Sequence, residues 1–162
     1  MRRLIGAVTA LILLATLGIV TIAGPTSADD NPGDRSQTFT LTAKTGPEAD
    51  LDLGATGFGL GDQFVFSDKL FRGDTQVGRD GGSCTVVEFT TETEPVTVNC
   101  VVTIELRRGQ LTVQGLVTFA GADAPFVVAI TGGTRAYKTA HGQVRVTPVD
   151  NETERLSFTL IL

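Results

Sequence analysis

The chain has 162 residues, with 13 Lys and Arg against 18 Asp and Glu and a formal net charge of −5 at pH 7. This length allows one domain with a single core once an N-terminal segment is set aside. Because counterion release from a basic surface is the main source of nucleic-acid affinity, the acidic balance argues against nucleic acid as a partner, and against anionic membrane surfaces for the same reason.

The N-terminal segment has the order of a secretory signal peptide. Met1-Arg2-Arg3 precedes an uncharged run from Leu4 to Ala23, and small residues then lead to Ala28. This order favours cleavage after Ala28. The competing interpretation is an uncleaved membrane anchor, because the run approaches the ~20 residues that span a bilayer. We expect a secreted protein without membrane contact after cleavage, divided into a signal peptide (1–28), a flexible leader (29–36) and a single domain (37–162).

After the leader, apolar residues recur at every second position, as between Val96 and Leu106. Such alternation is typical of strands with one buried face. Gly-containing turns, among them Gly46-Pro47, Arg79-Asp80-Gly81-Gly82 and Gly132-Gly133, separate the strands. The pattern indicates an all-β sandwich or barrel without choosing between them. The predicted strands are Gln37–Lys44, Gln63–Phe71, Asp74–Arg79 joined loosely to Cys84–Thr91, Val96–Arg107, Gln110–Phe119, Phe126–Thr131, Gln143–Val149 and Arg155–Leu162.

The chain has two cysteines, Cys84 and Cys100. In a protein addressed to an oxidising compartment, a disulfide is favoured over free thiols. Both cysteines lie about equally far from a predicted turn at 91–94, which fits a hairpin. Structural zinc requires four Cys or His ligands, and two cysteines with His141 do not supply them. We therefore predict a Cys84–Cys100 disulfide, no metal and no cofactor.

Four segments resemble the allene oxide cyclase and dirigent family. They are GLGDQFVFSDKLF, QVGRDGGSCTVVEF, GQLTVQG and AITGGTRAYKTAHGQV, which occur in the family's order between about Gly57 and Val146. The resemblance implies an eight-stranded antiparallel β-barrel of calycin type, a pocket for a small hydrophobic ligand and assembly into a homo-oligomer, a trimer in the plant cyclases. Members steer ring closure of a fatty-acid-derived allene oxide, or coupling of phenoxy radicals, by confining the reactant.

The chain also departs from this family. The glutamate that plant cyclases carry in their first strand falls near Leu41, and Arg135 and His141 stand where the dirigent motif has Gly and Arg. The resemblance therefore implies an isomerase-like barrel that steers cyclisation or coupling, without naming the reaction.

Glu88 is the candidate catalytic residue. If the two cysteines are bonded, they face the apolar side of their strands, and alternation places Cys84, Val86 and Glu88 on that side together. A carboxylic acid in an apolar cavity has a raised pKa and can donate a proton. The alternative is a solvated Glu88 at the barrel rim.

Four further residues are candidates for ligand binding: Asp62, Phe64, Phe66 and Tyr137. Asp62 follows two glycines, and the competing role for its carboxylate is to accept backbone N–H groups in that turn. Tyr137 could donate a hydrogen bond to a ligand or be buried with a backbone partner. Asp68 is predicted to lie on the surface, and the alternative is a place at the mouth of the pocket.

Three functions remain open at this point. An interior polar group beside an open cavity would favour an isomerase or cyclase, and an open, wholly apolar cavity would favour a non-catalytic carrier. A barrel packed solid by aromatic side chains would favour a structural module. The aromatic residues in question are Phe64, Phe66, Phe119, Phe126 and Phe158.

Overall fold

The computed structural model describes residues 36–90, 95–119 and 124–162. The predicted signal peptide, all but the last residue of the leader and the turn at 91–94 lie outside these ranges, so the predictions for them stand as made. Within the described ranges, no helix is long and apolar enough to cross a membrane.

The described residues form ten strands and one short 3₁₀ helix, which covers Arg135–Tyr137. The strands are β1 (Ser36–Lys44), β2 (Glu48–Leu51), β3 (Gln63–Phe66), β4 (Lys69–Arg72), β5 (Thr75–Glu88), β6 (Val96–Leu106), β7 (Gly109–Phe119), β8 (Phe126–Gly133), β9 (His141–Asp150) and β10 (Thr153–Ile161).

These strands close into one antiparallel barrel. The hydrogen-bonded order is β5-β4-β1-β10-β9-β8-β7-β6, and β6 pairs again with β5 to complete the ring. Strand β3 pairs with the part of β5 beyond β4, and β2 pairs with β3, so β2 and β3 extend β1 and β4. The ring has eight strands, which confirms the barrel that the family resemblance implied.

The two composite strands, β1 with β2 and β3 with β4, are each interrupted at the same level of the barrel. Between β1 and β2 lies Gly46, whose Cα hydrogens face the carbonyl oxygen of Ser67 in the break between β3 and β4. A side chain at Gly46 would collide with that backbone, so glycine is required for the two breaks to meet. Because Gly46 can approach this closely, its N–H reaches the carboxylate of Asp68.

Strand β5 differs from the sequence prediction. Arg79-Asp80-Gly81-Gly82 was predicted as a turn, yet β5 runs unbroken through it, with Asp80 opposite Ile104 and Gly82 opposite Val102. A Cβ at Gly82 would lie 2.5 Å from the carbonyl oxygen of Val101. This glycine therefore permits close contact between strands rather than a bend. As a result, Asp80 lies on the face of β5 that points into the barrel.

The barrel is filled at one end and hollow at the other. The filled end, near the β4–β5 and β6–β7 turns, contains fully buried aliphatic side chains and a stack of Phe39 on Phe158 with ring centroids 4.4 Å apart. At the hollow end, β2, β3 and the β9–β10 turn surround an opening. The aliphatic side chains of the filled end include Leu41, Leu70, Leu111 and Leu160.

The predicted disulfide is present. Cys84 and Cys100 are directly opposed on β5 and β6 and are bonded to each other. Both are less than a tenth exposed, and both line the hollow part of the barrel. The bond therefore forms part of the interior wall.

Candidate active site in the barrel lumen

The hollow end encloses a cavity of about 530 Å³. This volume lies within the range of pockets that bury small organic ligands. Phe64 and Phe66 lie on its wall, as the sequence predicted, although their binding of a ligand stays a prediction. The described residues leave this space open, so they do not form the solid aromatic core of a structural module. The other apolar wall residues include Val102, Val113, Phe119, Phe126, Val128, Val144, Val146 and Leu156.

Three carboxylates line this cavity on adjacent parts of the wall: Asp80 on β5, Asp68 in the break between β3 and β4, and Glu154 on β10. Asp68 and Asp80 are opposed, and their backbones are joined by two hydrogen bonds of 3.2 and 3.0 Å. Glu154 on β10 pairs with Ala43 of β1, and Ala43 pairs on its other side with Leu70, two residues after Asp68. The three carboxylates therefore lie at one level of the wall, near the opening.

Backbone groups hold two of these carboxylates in place. Asp80 is 6% exposed, and its Oδ1 accepts the N–H of Asp68 at 3.3 Å. The carbonyl oxygen of Asp80 accepts the hydroxyl of Ser67 at 2.8 Å. Asp68 Oδ1 accepts the N–H of Gly46 at 3.1 Å. The breaks between β1 and β2 and between β3 and β4 therefore supply the N–H groups that hold these two acids in place.

The environment raises the pKa of all three acids. Burial, with the neighbouring charges of Asp68 and Glu154 as smaller causes, raises the pKa of Asp80 from 3.8 to about 7. Burial also raises the pKa of Asp68, against the Gly46 hydrogen bond, and the pKa of Glu154, to which Asp68 adds repulsion. A carboxyl group with a pKa near neutral pH can donate or accept a proton under physiological conditions.

All charged side chains among the described lining residues are acidic. Three more carboxylates, Glu48, Asp50 and Asp150, join the first three around the opening. Among the described residues, no Lys, Arg or His lines this cavity. A cleft lined by charge of one sign concentrates ligands of the opposite sign. The lumen therefore favours neutral or cationic molecules and disfavours anions.

The predicted interior position of Glu88 is wrong. A β-bulge follows Val86, so that Val86 opposes Val98 but Glu88 opposes Thr97. The extra residue breaks the alternation on which the prediction rested. Glu88 is exposed, accepts the hydroxyl of Thr97 at 3.2 Å and does not line the cavity.

Asp62 and Tyr137 also lie outside the lumen. The buried carboxylate of Asp62 accepts the N–H of Leu53 at 3.0 Å and of Gly59 at 2.8 Å, which are the main causes that lower its pKa. This is the alternative, structural role of Asp62. Tyr137 is buried at the filled end, on the 3₁₀ helix, and its N–H donates to the carbonyl oxygen of Thr134. Their predicted place in the ligand pocket is therefore corrected.

Sequence reasoning chose none of the three lumen acids as a site residue. Asp80 was assigned to a turn, Asp68 to the surface with the pocket mouth as the alternative, and Glu154 was left unassigned. One signal could have found Asp80. On a continuous strand, Asp80 lies on the same face as Cys84, which is four positions later. The same alternation marks the other two, since Asp68 lies between Phe66 and Leu70, and Glu154 lies two positions before Leu156. What the sequence does not show is that Glu154 comes close to the two aspartates, because β10 is distant from them along the chain.

The fold and cavity define a class: hollow antiparallel barrels whose interior can hold one small ligand. Within this class, the chain belongs to the allene oxide cyclase barrel-like family, whose model matches residues 37–162. The chain matches no curated protein by sequence.

Solved structures agree with this assignment. A pyocyanin demethylase is 35% identical over 76% of this chain and 99% of its own, with a TM-score of 0.69. The Diels-Alderase AbmU from Streptomyces koyangensis is 14% identical over 81% of this chain and 70% of its own, with a TM-score of 0.62. The pterocarpan synthase dirigent protein GePTS1 is 18% identical over 85% of this chain and 94% of its own, with a TM-score of 0.62. The last two are similar to this chain in fold alone.

Proposed function

We propose that this protein is an enzyme that binds one small, largely apolar molecule in the barrel lumen and exchanges a proton with it through Asp80. The observation that supports this most directly is a buried acid with a pKa of about 7 on the wall of a largely apolar cavity. A carboxyl group of ordinary pKa would be ionised at neutral pH and could only accept a proton. An interior polar group beside an open cavity favours an enzyme over a carrier.

The charge of the lining narrows the substrate class. Six carboxylates and no basic side chain among the described lining residues favour a neutral or cationic ring system. A substrate with a free carboxylate would be repelled, so we do not propose a fatty-acid derivative. The aromatic wall, including Phe64 and Phe66, suits a flat molecule that stacks on it.

Confinement and proton transfer together support two overall reactions. The first is ring closure or isomerisation, in which the cavity orders the reactant and Asp80 protonates or deprotonates it. The second is demethylation, because the 35% identical structure is that of a demethylase. In an N-methylated ring such as pyocyanin, the balanced step consumes one water: the C–N bond breaks, the methyl carbon leaves as formaldehyde after a two-electron oxidation, and the oxidised ring takes up those electrons and is released in its reduced N–H form. Asp80 would carry a proton between the methyl carbon or the water and the ring during this step. We place demethylation first, since the identity extends over nearly the whole of that relative.

Binding is tested with three ligands of one shape and different charge: N-methylacridinium, anthracene and anthracene-9-carboxylate. We expect the cation to bind most tightly, the neutral ring less tightly and the anion on the order of a hundredfold more weakly than the cation at low salt. Equal affinity for all three, measured by fluorescence titration, would contradict the proposed substrate class.

Catalysis is tested with pyocyanin, followed by mass spectrometry for loss of its methyl group. Asp80→Asn should lower the rate on the order of a hundredfold or more, because an amide cannot exchange the proton. Asp74→Asn, which removes the same charge from the exposed β4–β5 turn, should leave the rate unchanged. Should wild-type protein bind the cationic ring but convert no test compound, the non-catalytic carrier would be the better function.

The proposal includes export and self-association. Export rests on the N-terminal sequence, and self-association on apolar side chains that face outward on adjacent strands. Val101, Leu116 and Val127 are 47%, 68% and 43% exposed on β6, β7 and β8. We expect sedimentation velocity to detect an oligomer and Leu116→Lys to dissociate it; a monomeric wild-type protein would exclude this part of the proposal.

A further inference from the structure

The filled end of the barrel carries a second recess, of about 1350 Å³, on its outer side. Its lining shares no residue with the lumen cavity. Five arginines surround it, yet only two of them are adjacent in sequence, so the fold gathers the rest. They are Arg72 at the end of β4, Arg79 on β5, Arg107 and Arg108 in the β6–β7 turn, and Arg135 on the 3₁₀ helix. We call this site the arginine recess.

The arginine recess is strongly cationic in an acidic protein. Its lining contains one acid among the described residues, Glu105, whose Oε2 is 2.6 Å from Nε of Arg79. This pair is exposed, and it is the only ion pair among the described residues. Four guanidinium charges therefore remain unbalanced within the recess, whereas the whole chain has a net charge of −5.

The floor of the arginine recess is apolar. Phe39, Val77, Leu106 and Tyr137 contribute to it and are buried or half-buried. The guanidinium carbon of Arg72 lies 5.7 Å from the ring centroid of Phe39. Stacking of this kind leaves the N–H donors at the edge of the guanidinium group free to bind an oxyanion. The recess thus combines an apolar surface with a cationic rim.

Arg135 has an unusual backbone conformation. It is the only non-glycine residue with a positive φ, +53°, in the part of the chain that the structure describes. Side chains with a Cβ are disfavoured there and glycine is preferred. Arg135 therefore adds a fifth charge to the recess and strains the backbone, whereas glycine at this position would avoid the strain.

We infer that the arginine recess is a second ligand site, which takes a small amphiphilic anion: a carboxylate, phosphate or sulfonate attached to an apolar body. The guanidinium groups match planar or tetrahedral oxyanions through paired N–H donors. The apolar floor takes the body of the molecule. This site is selective for the charge that the lumen disfavours, and the inference does not depend on the function proposed above.

The test uses two dyes that differ by one sulfonate, 8-anilinonaphthalene-1-sulfonate and neutral N-phenyl-1-naphthylamine. We expect saturable binding of the sulfonate that weakens as salt is added. Arg72→Gln and Arg108→Gln should each raise its Kd on the order of tenfold, the effect of losing a charge-assisted hydrogen bond. Arg155→Gln, the matched control on the outer wall of β10, should leave the Kd unchanged. None of these variants should alter binding of the neutral dye.

Arg135→Gly separates loss of binding from loss of fold. Glycine relieves the positive φ, so we expect weaker binding of the sulfonate dye together with an unchanged or higher midpoint of thermal unfolding. An unchanged Kd in all three recess variants would overturn the inference, as would an equal loss in Arg155→Gln. Sedimentation with phosphatidylglycerol vesicles in the absence of saturable dye binding would also overturn it, in favour of a membrane contact.

Discussion

Replacement of Asp80 by Asn should make the protein more stable at neutral pH. The side chain of Asn has the same shape, and its Oδ1 can accept the N–H of Asp68 as the carboxylate does. What is removed is the charge, which in the wild type must be buried in a cavity beside the charges of Asp68 and Glu154. We therefore expect a gain in the free energy of unfolding, although the substituted residue is the proposed proton donor.

The magnitude follows from the difference in pKa between the two states. The pKa of Asp80 is raised in the folded protein, from 3.8 to about 7. Folding therefore favours the neutral form of Asp80. The contribution of this group to the free energy of unfolding is fully present below pH 3.8 and is lost as pH rises through 7. A difference of about three pKa units corresponds to about 4 kcal/mol, which is an upper limit because the structure can relax around the charge. We expect about 2–4 kcal/mol between pH 4 and pH 8.

The assay is urea unfolding of the oxidised protein at several values between pH 4 and pH 8. The free energy of unfolding of the wild type should fall as pH rises. In Asp80→Asn this fall should be smaller, so that the variant is more stable than the wild type at pH 8. Asp74→Asn removes an equal charge from an exposed turn and should change stability by no more than about 0.5 kcal/mol.

Two results would refute this reasoning. One is a wild-type stability that does not change over this pH interval, which would mean that Asp80 has an ordinary pKa. The other is a loss of stability in Asp80→Asn at pH 8, which would mean that the ionised carboxylate makes favourable contacts that the structure does not contain. Either result would also remove the main support for Asp80 as proton donor.

Three further predictions concern the scaffold. Gly82→Ala should destabilise by about 1–3 kcal/mol, because the added methyl meets the β6 backbone, while Gly59→Ala should be nearly neutral in denaturant titrations. Reduction of the Cys84–Cys100 disulfide, whose cysteines are 16 residues apart, should lower the free energy of unfolding by about 3 kcal/mol. An unaltered unfolding midpoint in reductant would contradict this. Asp62→Asn should speed amide exchange at Leu53 and Gly59; because the folded pKa of Asp62 is lowered, its stabilisation is lost as pH falls through that pKa.

The fold was largely predictable from the chain. Period-two alternation marked most of the strands, and the cysteine spacing predicted the disulfide between β5 and β6. Closure into a barrel needed the family resemblance, because alternation shows one buried face per strand and does not show whether the strands form one ring or two layers. Strand β2 was not predicted: its four residues, Glu48-Ala49-Asp50-Leu51, alternate polar and apolar side chains, but the run is short and all four residues are exposed.

The site was much less predictable, and the errors have two physical sources. Glycines were interpreted as turns in β5, where Gly82 serves close contact with β6, and this removed Asp80 from the strand. The β-bulge after Val86 then reversed the side on which Glu88 lies, and the position of a bulge is set by the pairing with β6 rather than by the sequence of β5 alone. In both cases the deciding contact comes from the neighbouring strand.

The sequence by itself determined local conformation: which segments are strands, which of their faces are apolar and which cysteines can pair. The tertiary structure alone decided which charges lie together, namely the acids of the lumen at one end and the arginines of the outer recess at the other. The physical reason is that strand conformation depends on neighbours along the chain, whereas a pKa or a ligand site depends on groups that are distant in sequence and come together only when the barrel closes.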